Sequence, residues 1–322
     1  RYYWKVRVWG ETEQAESEAA WFETAKMDEP WQGQWITPDF EDKQTHPILF
    51  KQFVVPSRAV AARVYICGLG LYHCELNGSK VGDEYLTPFC NAYDQWLQYQ
   101  TYDITGQLNA GENLIRIMLG NGWYKGRYMF DSDQKEIYGD HFALICELRL
   151  VLESDEEMVI VSDLTWRAQP SPVLASDIYD GETYDATRRL TGWNIPGYDD
   201  SRWTAVKSGN YSMNNIIASE GAEICKIEEI KPVRIFRTPK GSLVADMGQN
   251  MVGWIRLRVK GPRGTKVILR HAEVLDKYGE FYTDNLRTAK CQLTYTLSGD
   301  GVEVYEPRFT FMGFRFVEVN GF

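Results

Sequence analysis

Alternation of hydrophobic and polar positions is the dominant pattern along this chain. The clearest run covers residues 142–153, in which even positions are apolar and charged residues such as Glu147, Arg149 and Glu153 take odd positions. Side chains at every second position of a strand share one face, so this run predicts a long strand with one buried and one wet face. Similar segments recur at short, regular spacing over residues 48–161 and 227–316. No helical periodicity of useful length appears. The pattern predicts an all-β protein of tandem antiparallel β-sandwich (jelly-roll-like) domains.

Turn residues separate these predicted strands. Asn77-Gly78 predicts a tight hairpin, because both central positions of that turn favour positive φ. The acidic segment 153–157 predicts a turn after which Met158–Val161 pairs with the preceding strand. A further strand is expected at Val81–Leu86, and a change of alternation phase at Met312-Gly313 predicts a β-bulge.

Three regions follow from the spacing of these elements. Residues 1–25 are expected to be the end of a small β-domain, whose other strands precede Arg1 or are replaced by packing on the next domain. Residues 26–225 are expected to form one sandwich, with an irregular connecting segment from about 167. Residues 226–322 are expected to form a second sandwich.

Composition narrows the possible partners. A chain of 322 residues with 44% hydrophobic residues has enough apolar side chains for two or three folded domains. The net charge of −10 argues against nucleic acid and anionic membrane as partners, because both attract basic surfaces. The high aromatic content, 14%, fits either sugar contacts or ordinary packing on pleated sheets.

Six cysteines are spread along the chain without a Cys-x-x-Cys pair, which argues against a zinc site. We expect free thiols, which favour a reducing compartment and hence a cytoplasmic location. The chain begins at Arg1 in strand-like pattern and without Met, so we expect a fragment of a longer protein.

The stretch from Leu119 to Tyr128 combines three glycines with aromatic and polar side chains. Aromatic faces can stack on a sugar ring while amide and guanidinium groups bond its hydroxyls. The candidate carbohydrate-binding residues are Asn121, Trp123, Tyr124 and Arg127. The alternative is that Trp123 closes the end of the sandwich.

Acidic residues follow this stretch. Calcium prefers several oxygen ligands on flexible loops, so it is the candidate cofactor here. The candidate ligands are Asn91, Asp94, Asp131, Asp133 and Asp140. The alternative is a solvated acidic loop.

Glu182 and Asp185 form the best carboxylate pair in the sequence. A glycosidase needs two carboxylates on either side of the bond that it cleaves. Residues three apart on an extended segment point to opposite sides, so we expect these two to bond backbone amides or Arg188 instead. No catalytic residue is predicted.

Several short motifs extend along most of the chain, and together they carry a family resemblance. They are Gly68-Leu69-Gly70-Leu71-Tyr72, Leu76-Asn77-Gly78, Leu86-Thr87-Pro88, Gln100-Thr101-Tyr102-Asp103-Ile104-Thr105, Gly120-Asn121-Gly122-Trp123-Tyr124, Tyr138-Gly139-Asp140, Glu182-Thr183-Tyr184-Asp185-Ala186, Asp246-Met247-Gly248-Gln249-Asn250, Asn285-Leu286-Arg287 and Pro307-Arg308-Phe309-Thr310. With them the chain resembles the non-catalytic N-terminal half of bacterial α-L-rhamnosidases. Residues 1–25 resemble the end of a fibronectin-III-like module. The chain departs from the family pattern at Phe89-Cys90-Asn91, where Gly-Trp-Thr is usual.

The resemblance implies a multi-modular glycosidase in which an α/α toroid cleaves terminal α-L-rhamnose from glycosides with inversion, using acidic residues that would follow Phe322. It also implies that residues 26–225 resemble a carbohydrate-binding module, since one sandwich of some members binds rhamnose with the help of calcium. The expected partners are a rhamnose-containing glycoside and the toroid. The alternative is a purely structural sandwich or interaction module without sugar binding.

Overall fold

A computed structural model of the chain describes residues 1–128, 134–190, 192 and 196–321. Nearly half of the described residues lie in β-strands and very few lie in helices, which confirms the predicted all-β class. Their only α-helix is the single turn α1 (Gly122–Lys125), and 3₁₀ turns lie at Thr105–Gln107, Ala186–Arg188 and Asp284–Leu286. Within these ranges no helix has the length and apolar character that crossing a membrane requires.

The strands are β1 (Tyr2–Trp4), β2 (Arg7–Trp9), β3 (Gln14–Glu16), β4 (Ala20–Phe22), β5 (Ile36–Pro38), β6 (Pro47–Val55), β7 (Ala59–Leu69), β8 (Leu71–Leu76), β9 (Ser79–Lys80), β10 (Leu97–Asp103), β11 (Gly111–Gly120), β12 (Ala143–Leu152), β13 (Glu157–Val161), β14 (Arg167–Pro170), β15 (Val173–Asp177), β16 (Gly181–Asp185), β17 (Thr204–Ser208), β18 (Ile216–Ala218), β19 (Arg234–Arg237), β20 (Leu243–Gly253), β21 (Leu257–Lys260), β22 (Lys266–Ala272), β23 (Val274–Leu275), β24 (Phe281–Tyr282), β25 (Gln292–Thr296), β26 (Val302–Tyr305) and β27 (Met312–Asn320).

The chain divides into two compact units, Arg1–Gln32 and Gly33–Phe322. In the first unit, β1 pairs with β4 and β2 with β3, both antiparallel. The Tyr2 and Phe22 rings stack across the first pair, with centroids 5.3 Å apart. Most side chains of this unit are exposed, including Trp4 and Trp9.

Two large sheets form the second unit. The first follows the order β18-β10-β7-β12-β5-β17-β14-β6-β11-β8-β9, with β13 added beside β12. Its two halves face each other across one core, so it closes into a sandwich. The second sheet has the order β15-β16-β25-β22-β27-β20-β19, and all its pairs are antiparallel except β16 with β25.

Strands β6 and β11 are buried on both faces. Leu49 and Ile117 enter the sandwich core, whereas Phe50 and Met118 enter a second core shared with the seven-stranded sheet. A strand covered on both sides has few positions left for polar residues. The second unit is therefore three layers deep around two cores, with the β6–β11 sheet in the middle.

The segment 167–225 differs from the irregular connection predicted for it. It contributes β14 and β17 to the sandwich, and β15 and β16 to the seven-stranded sheet. These strands have at most 5 residues, which is too short for alternation to distinguish them from loops. Strands from this segment therefore complete both sheets.

Most predicted turns are confirmed. Asn77 and Gly78 have φ values of 51° and 82° and close the β8–β9 hairpin. Strand β13 pairs antiparallel with β12 after the acidic turn. The expected strand at Val81–Leu86 is wrong, because the chain bends there after β9. The predicted bulge is displaced: β27 begins at Met312, and the register shift lies in the facing strand β20, between Asp246 and Met251.

Asp246 lies at that register shift and holds three strands together. Its carboxylate accepts hydrogen bonds from Arg315 of β27 and from Arg234 of β19, at 2.9 and 3.2 Å. The Arg315 hydrogen bond is the main cause that lowers the pKa of Asp246 to about 2, and the Gly248 amide and Arg234 add to it. The carboxylate therefore stays charged well below the pH at which an ordinary Asp protonates.

We expect Asp246→Asn to destabilise the protein at pH 7 by about 1–2 kcal/mol, since charge-assisted hydrogen bonds to two arginines are lost. A lowered folded-state pKa gives stability that is present above the unfolded value, about 3.9, and is lost as pH falls toward 2. The difference in urea midpoint between wild type and variant should therefore shrink from pH 5 to pH 2. A difference that stays constant over this range would contradict the assignment.

Candidate functional site

The glycine-rich loop after β11 is fixed by close packing. A Cβ atom at Gly120 would overlap the Phe309 ring, and one at Gly122 would lie 2.6 Å from Leu71 Cγ. Gly122 also has a positive φ of 54°, which favours glycine. The loop therefore turns into α1 directly against the second core, and the side chains that leave it have fixed directions.

A cavity of about 560 Å³ lies between this loop and strands β15 and β16. We call it the loop pocket. Its volume suits a monosaccharide or a small part of a glycan. The polar residues that line it include Asn121, Lys125, Glu136, Ser176, Asp177 and Asp180.

Asn121 begins a hydrogen-bonded chain into the floor of the loop pocket. Its backbone N–H donates to Ser176 Oγ at 3.0 Å, and that oxygen lies 2.8 Å from His46 Nε2. Burial, and secondarily the charge of Lys125, lowers the pKa of His46 to about 3. The neutral imidazole can therefore accept a hydrogen bond from the Ser176 hydroxyl, which fixes the direction of both groups.

Lys125 is fully buried on one side of the loop pocket. Its ammonium donates to Gln44 Oε1 at 2.8 Å and to Glu136 Oε1 at 3.0 Å. Partial burial opposes ionisation of Glu136, but the Gln44 and Lys125 hydrogen bonds outweigh it and lower its pKa. The ion pair between Lys125 and Glu136 therefore ties the loop to residues on either side of it.

Arg127 connects the loop to the seven-stranded sheet. Its guanidinium donates to Asp180 Oδ1 at 3.0 Å and to Thr288 Oγ1 at 2.8 Å, and its backbone N–H donates to Asp177 Oδ2 at 2.7 Å. The side chain is only 2% exposed. Arg127 therefore anchors the loop with hydrogen bonds that its guanidinium makes within the protein.

The four candidate sugar-binding residues point in different directions. Asn121 lines the loop pocket, whereas Arg127 is turned inward. Trp123 packs against Phe311 beside the second core, with ring centroids 6.5 Å apart. Tyr124 is buried against Tyr93, and burial raises the pKa of its hydroxyl. Sequence proximity therefore brings only Asn121 of this set to the pocket.

The candidate calcium ligands are engaged elsewhere or lie outside the description. Asn91 Oδ1 accepts from the backbone and side chain of Gln98, and Asp140 pairs with Lys43 at 2.7 Å. Asp94 accepts from the neighbouring Gln95 side chain. Asp131 and Asp133 lie outside the described residues. Within the described ranges no three acidic, histidine or cysteine side chains gather in a cluster suited to a metal ion, and calcium stays a prediction.

Glu182 and Asp185 serve separate structural roles. Glu182 is 1% exposed and accepts hydrogen bonds from the Tyr305 hydroxyl and from the backbone N–H groups of Arg308 and Phe309. Burial raises its pKa against these hydrogen bonds. Asp185 instead accepts from the backbone and hydroxyl of Thr187. Glu182 lines the loop pocket, whereas Asp185 is not among the residues that line it.

A second cavity, of about 260 Å³, was not anticipated from the sequence. It lies beside the faces of β8 and β11 that are turned away from the sandwich core, where Glu75 and Arg116 are paired in register and form an ion pair. Arg189, Arg308 and Tyr184 complete its wall, and we call it the arginine pocket. The sequence held one indication of this cavity. In the alternating segments that became β8 and β11, the positions between the apolar residues include the polar or charged residues His73, Glu75 and Arg116.

Comparison with known proteins identifies the family to which this chain belongs. Residues 57–251 match the model of the alpha-L-rhamnosidase N-terminal domain, which is more than half of the chain. The chain belongs to the α-L-rhamnosidase family. Residues 236–322 match the bacterial alpha-L-rhamnosidase concanavalin-like domain, and residues 1–28 match a Rha78A-like N-terminal immunoglobulin domain. The resemblance inferred from the sequence motifs is thereby confirmed.

Relatives are similar to this chain in sequence and structure over nearly its whole length. An alpha-L-rhamnosidase of Streptomyces avermitilis is 40% identical over 95% of this chain and 32% of its own length. A native rhamnosidase structure from Aspergillus terreus has a TM-score of 0.92 at 34% identity, covering 99% of this chain and 38% of that one. A Streptomyces avermitilis structure complexed with L-rhamnose has a TM-score of 0.82 at 36% identity, covering 96% and 32%. The chain spans about a third of the length of these family members.

Proposed function

We propose that this chain is an ancillary part of a glycosidase that hydrolyses terminal α-L-rhamnose, and that its loop pocket binds L-rhamnose. The catalytic acids of that enzyme would lie in a downstream α/α toroid. The family match over nearly the whole chain, at a third of the relatives' length, supports the ancillary role.

One observation carries the sugar-binding half of the proposal. Asn121 Oδ1 is buried at the loop pocket and has no hydrogen-bond partner among the described residues. Leaving a buried acceptor unsatisfied costs about 1–3 kcal/mol, which a hydroxyl donor from a sugar would offset. Lys125 and Asp177 beside it restrict the directions from which such a donor can approach.

We expect L-rhamnose to bind with a millimolar dissociation constant, and Asn121→Ala to weaken binding about tenfold. The loss corresponds to about 1.4 kcal/mol, the net value of one or two hydrogen bonds. Isothermal titration calorimetry of both proteins, each with and without calcium, measures it.

Asn214→Ala makes the same substitution at an exposed position that does not line the pocket, and this variant should titrate like wild type. Absence of heat at millimolar L-rhamnose, in both calcium conditions, would eliminate the sugar-binding proposal. Calcium is proposed as an aid to this binding, so a dissociation constant that is equal with and without calcium would remove that part alone.

The isolated chain is expected not to release p-nitrophenol from a p-nitrophenyl α-L-rhamnoside. Glu182 cannot act as a catalytic acid facing substrate, because three internal donors occupy its oxygens. Turnover above the buffer rate would show that this chain carries its own active site.

A purely structural module is the second candidate. Ile235 of the edge strand β19 is 63% exposed, and Val233, two residues before it, is 67% exposed. Apolar side chains grouped on an exposed sheet edge are typical of surfaces that another domain covers. In this reading the toroid covers them. The chain alone would then be less soluble than a longer protein that includes the toroid, and Ile235→Lys would restore solubility.

A further inference from the structure

The arginine pocket is lined by several cationic side chains, although the protein as a whole is acidic. The whole chain has a net charge of −10, yet the guanidinium groups of Arg116, Arg189 and Arg308 all line this one cavity. Charge focused in a partly enclosed cavity acts through a lower dielectric than charge on an open surface.

Glu75 is the carboxylate that lines this pocket, and Glu182 is buried near it. Glu75 pairs with Arg116, and Glu182 lies beside Arg308, whose charge acts on it. His73 is held neutral, because burial and then the charge of Arg308 lower its pKa well below the ordinary value. Among the residues that line the pocket, positive charge therefore outweighs negative charge, which favours a bound anion.

Repulsion between the cations gives independent support. Burial, followed by the nearby charge of Arg308, lowers the pKa of Arg116 to about 10. Arg308 Nε is buried and has no hydrogen-bond partner in the described part of the chain. An oxyanion at this position would separate the like charges and satisfy the orphaned donor.

The geometry points to a binding site for a small oxyanion, a carboxylate or a sulfate, held by Arg308 and Arg189 in the arginine pocket. Guanidinium groups present paired donors that fit both kinds of oxyanion. Both guanidinium carbons lie beside the Tyr184 ring, at 5.7 and 5.3 Å from its centroid. The buried Tyr184 ring thus holds both guanidinium groups at the same wall of the pocket. This site is separate from the loop pocket and does not depend on rhamnose binding.

Calorimetry with sodium D-glucuronate, sodium sulfate and neutral D-glucose, at constant ionic strength set with sodium chloride, tests the proposal. We expect saturable binding of at least one anion and none of glucose. Tighter binding of glucuronate would identify a sugar acid as the source of the oxyanion, and tighter binding of sulfate an inorganic ion. Absence of saturable heat with both anions, or equal binding of glucose, would overturn the site.

Arg308→Met should weaken binding of the anion at least tenfold, and Arg189→Met should do so independently. Arg237→Met makes the same charge change on exposed strand β19 and should leave binding unchanged. A merely structural role for Arg308 predicts a different result: a lower melting temperature for Arg308→Met with unchanged anion affinity. Arg189→Met keeps the test decisive if the first variant does not fold.

Discussion

Gly181→Ala is expected to lower the free energy of unfolding by about 3–5 kcal/mol, combining left-handed backbone strain with overpacking. Gly181 opens β16 with φ of 103°. Its added Cβ would lie within 3.0 Å of three backbone atoms of Gln292, because β16 and β25 run parallel and in contact there. Backbone atoms cannot move away by changing rotamer, so the strands themselves would have to separate. Urea unfolding followed by tryptophan fluorescence measures the loss.

Gly301→Ala is the matched control. Gly301 has a similar positive φ of 93°, but a Cβ there would meet no atom within 4 Å. The Gly301→Ala substitution should therefore lower the free energy of unfolding by the backbone strain alone, about 1–2 kcal/mol. If the two variants lost equal stability, the close approach of β16 and β25 would not be what requires glycine at 181.

Glu182→Ala is expected to destabilise the protein by about 3 kcal/mol or more, because buried donors left without an acceptor cost about 1–3 kcal/mol each. The two orphaned backbone amides belong to Arg308 and Phe309, and the orphaned hydroxyl to Tyr305. These three groups hold the chain that precedes β27 against β16. The midpoint of urea unfolding, with circular dichroism of the folded state, measures the effect.

Glu182→Gln separates hydrogen bonding from charge. Its amide oxygen can accept from both backbone N–H groups while its NH₂ donates to the Tyr305 oxygen, so we expect a change within about 1 kcal/mol at pH 7. Burial raises the folded-state pKa of Glu182. A raised pKa gives stability that is present below the unfolded value, about 4.3, and is lost as pH rises through the folded value. Relative to the Gln variant, wild type should therefore gain stability between pH 7 and pH 4. An opposite trend would mean that the hydrogen bonds dominate over burial at this carboxylate.

The alternation of apolar and polar residues was sufficient to predict the long strands and their class. Strand β12 keeps one face in the sandwich core over its whole length, so its period is visible in the sequence. The hairpin turn was also predictable from local sequence, because Asn77 and Gly78 adopt the positive φ that Asn and Gly tolerate well.

What the sequence did not predict depends on contacts between distant residues. Strands β15 and β16 are recognisable only through their partners in the seven-stranded sheet, of which β25 lies more than a hundred residues later. The direction of Trp123 and Arg127 was likewise set by Phe311, Asp180 and Thr288, which no local pattern connects to the loop. The arginine pocket gathers side chains from four strands and three loops.

Strands β15 and β16 belong to a sheet whose other strands all come later in the chain, and this has an evolutionary consequence. A recombination event that transferred residues 226–322 to another gene would carry away a sheet without two of its strands, β15 and β16. Such a product would present the bare edge of β25 and invite intermolecular pairing. Crossovers are therefore expected to be tolerated near Gln32, where the compact units divide, and selected against between the two family modules, which should be inherited as a single block.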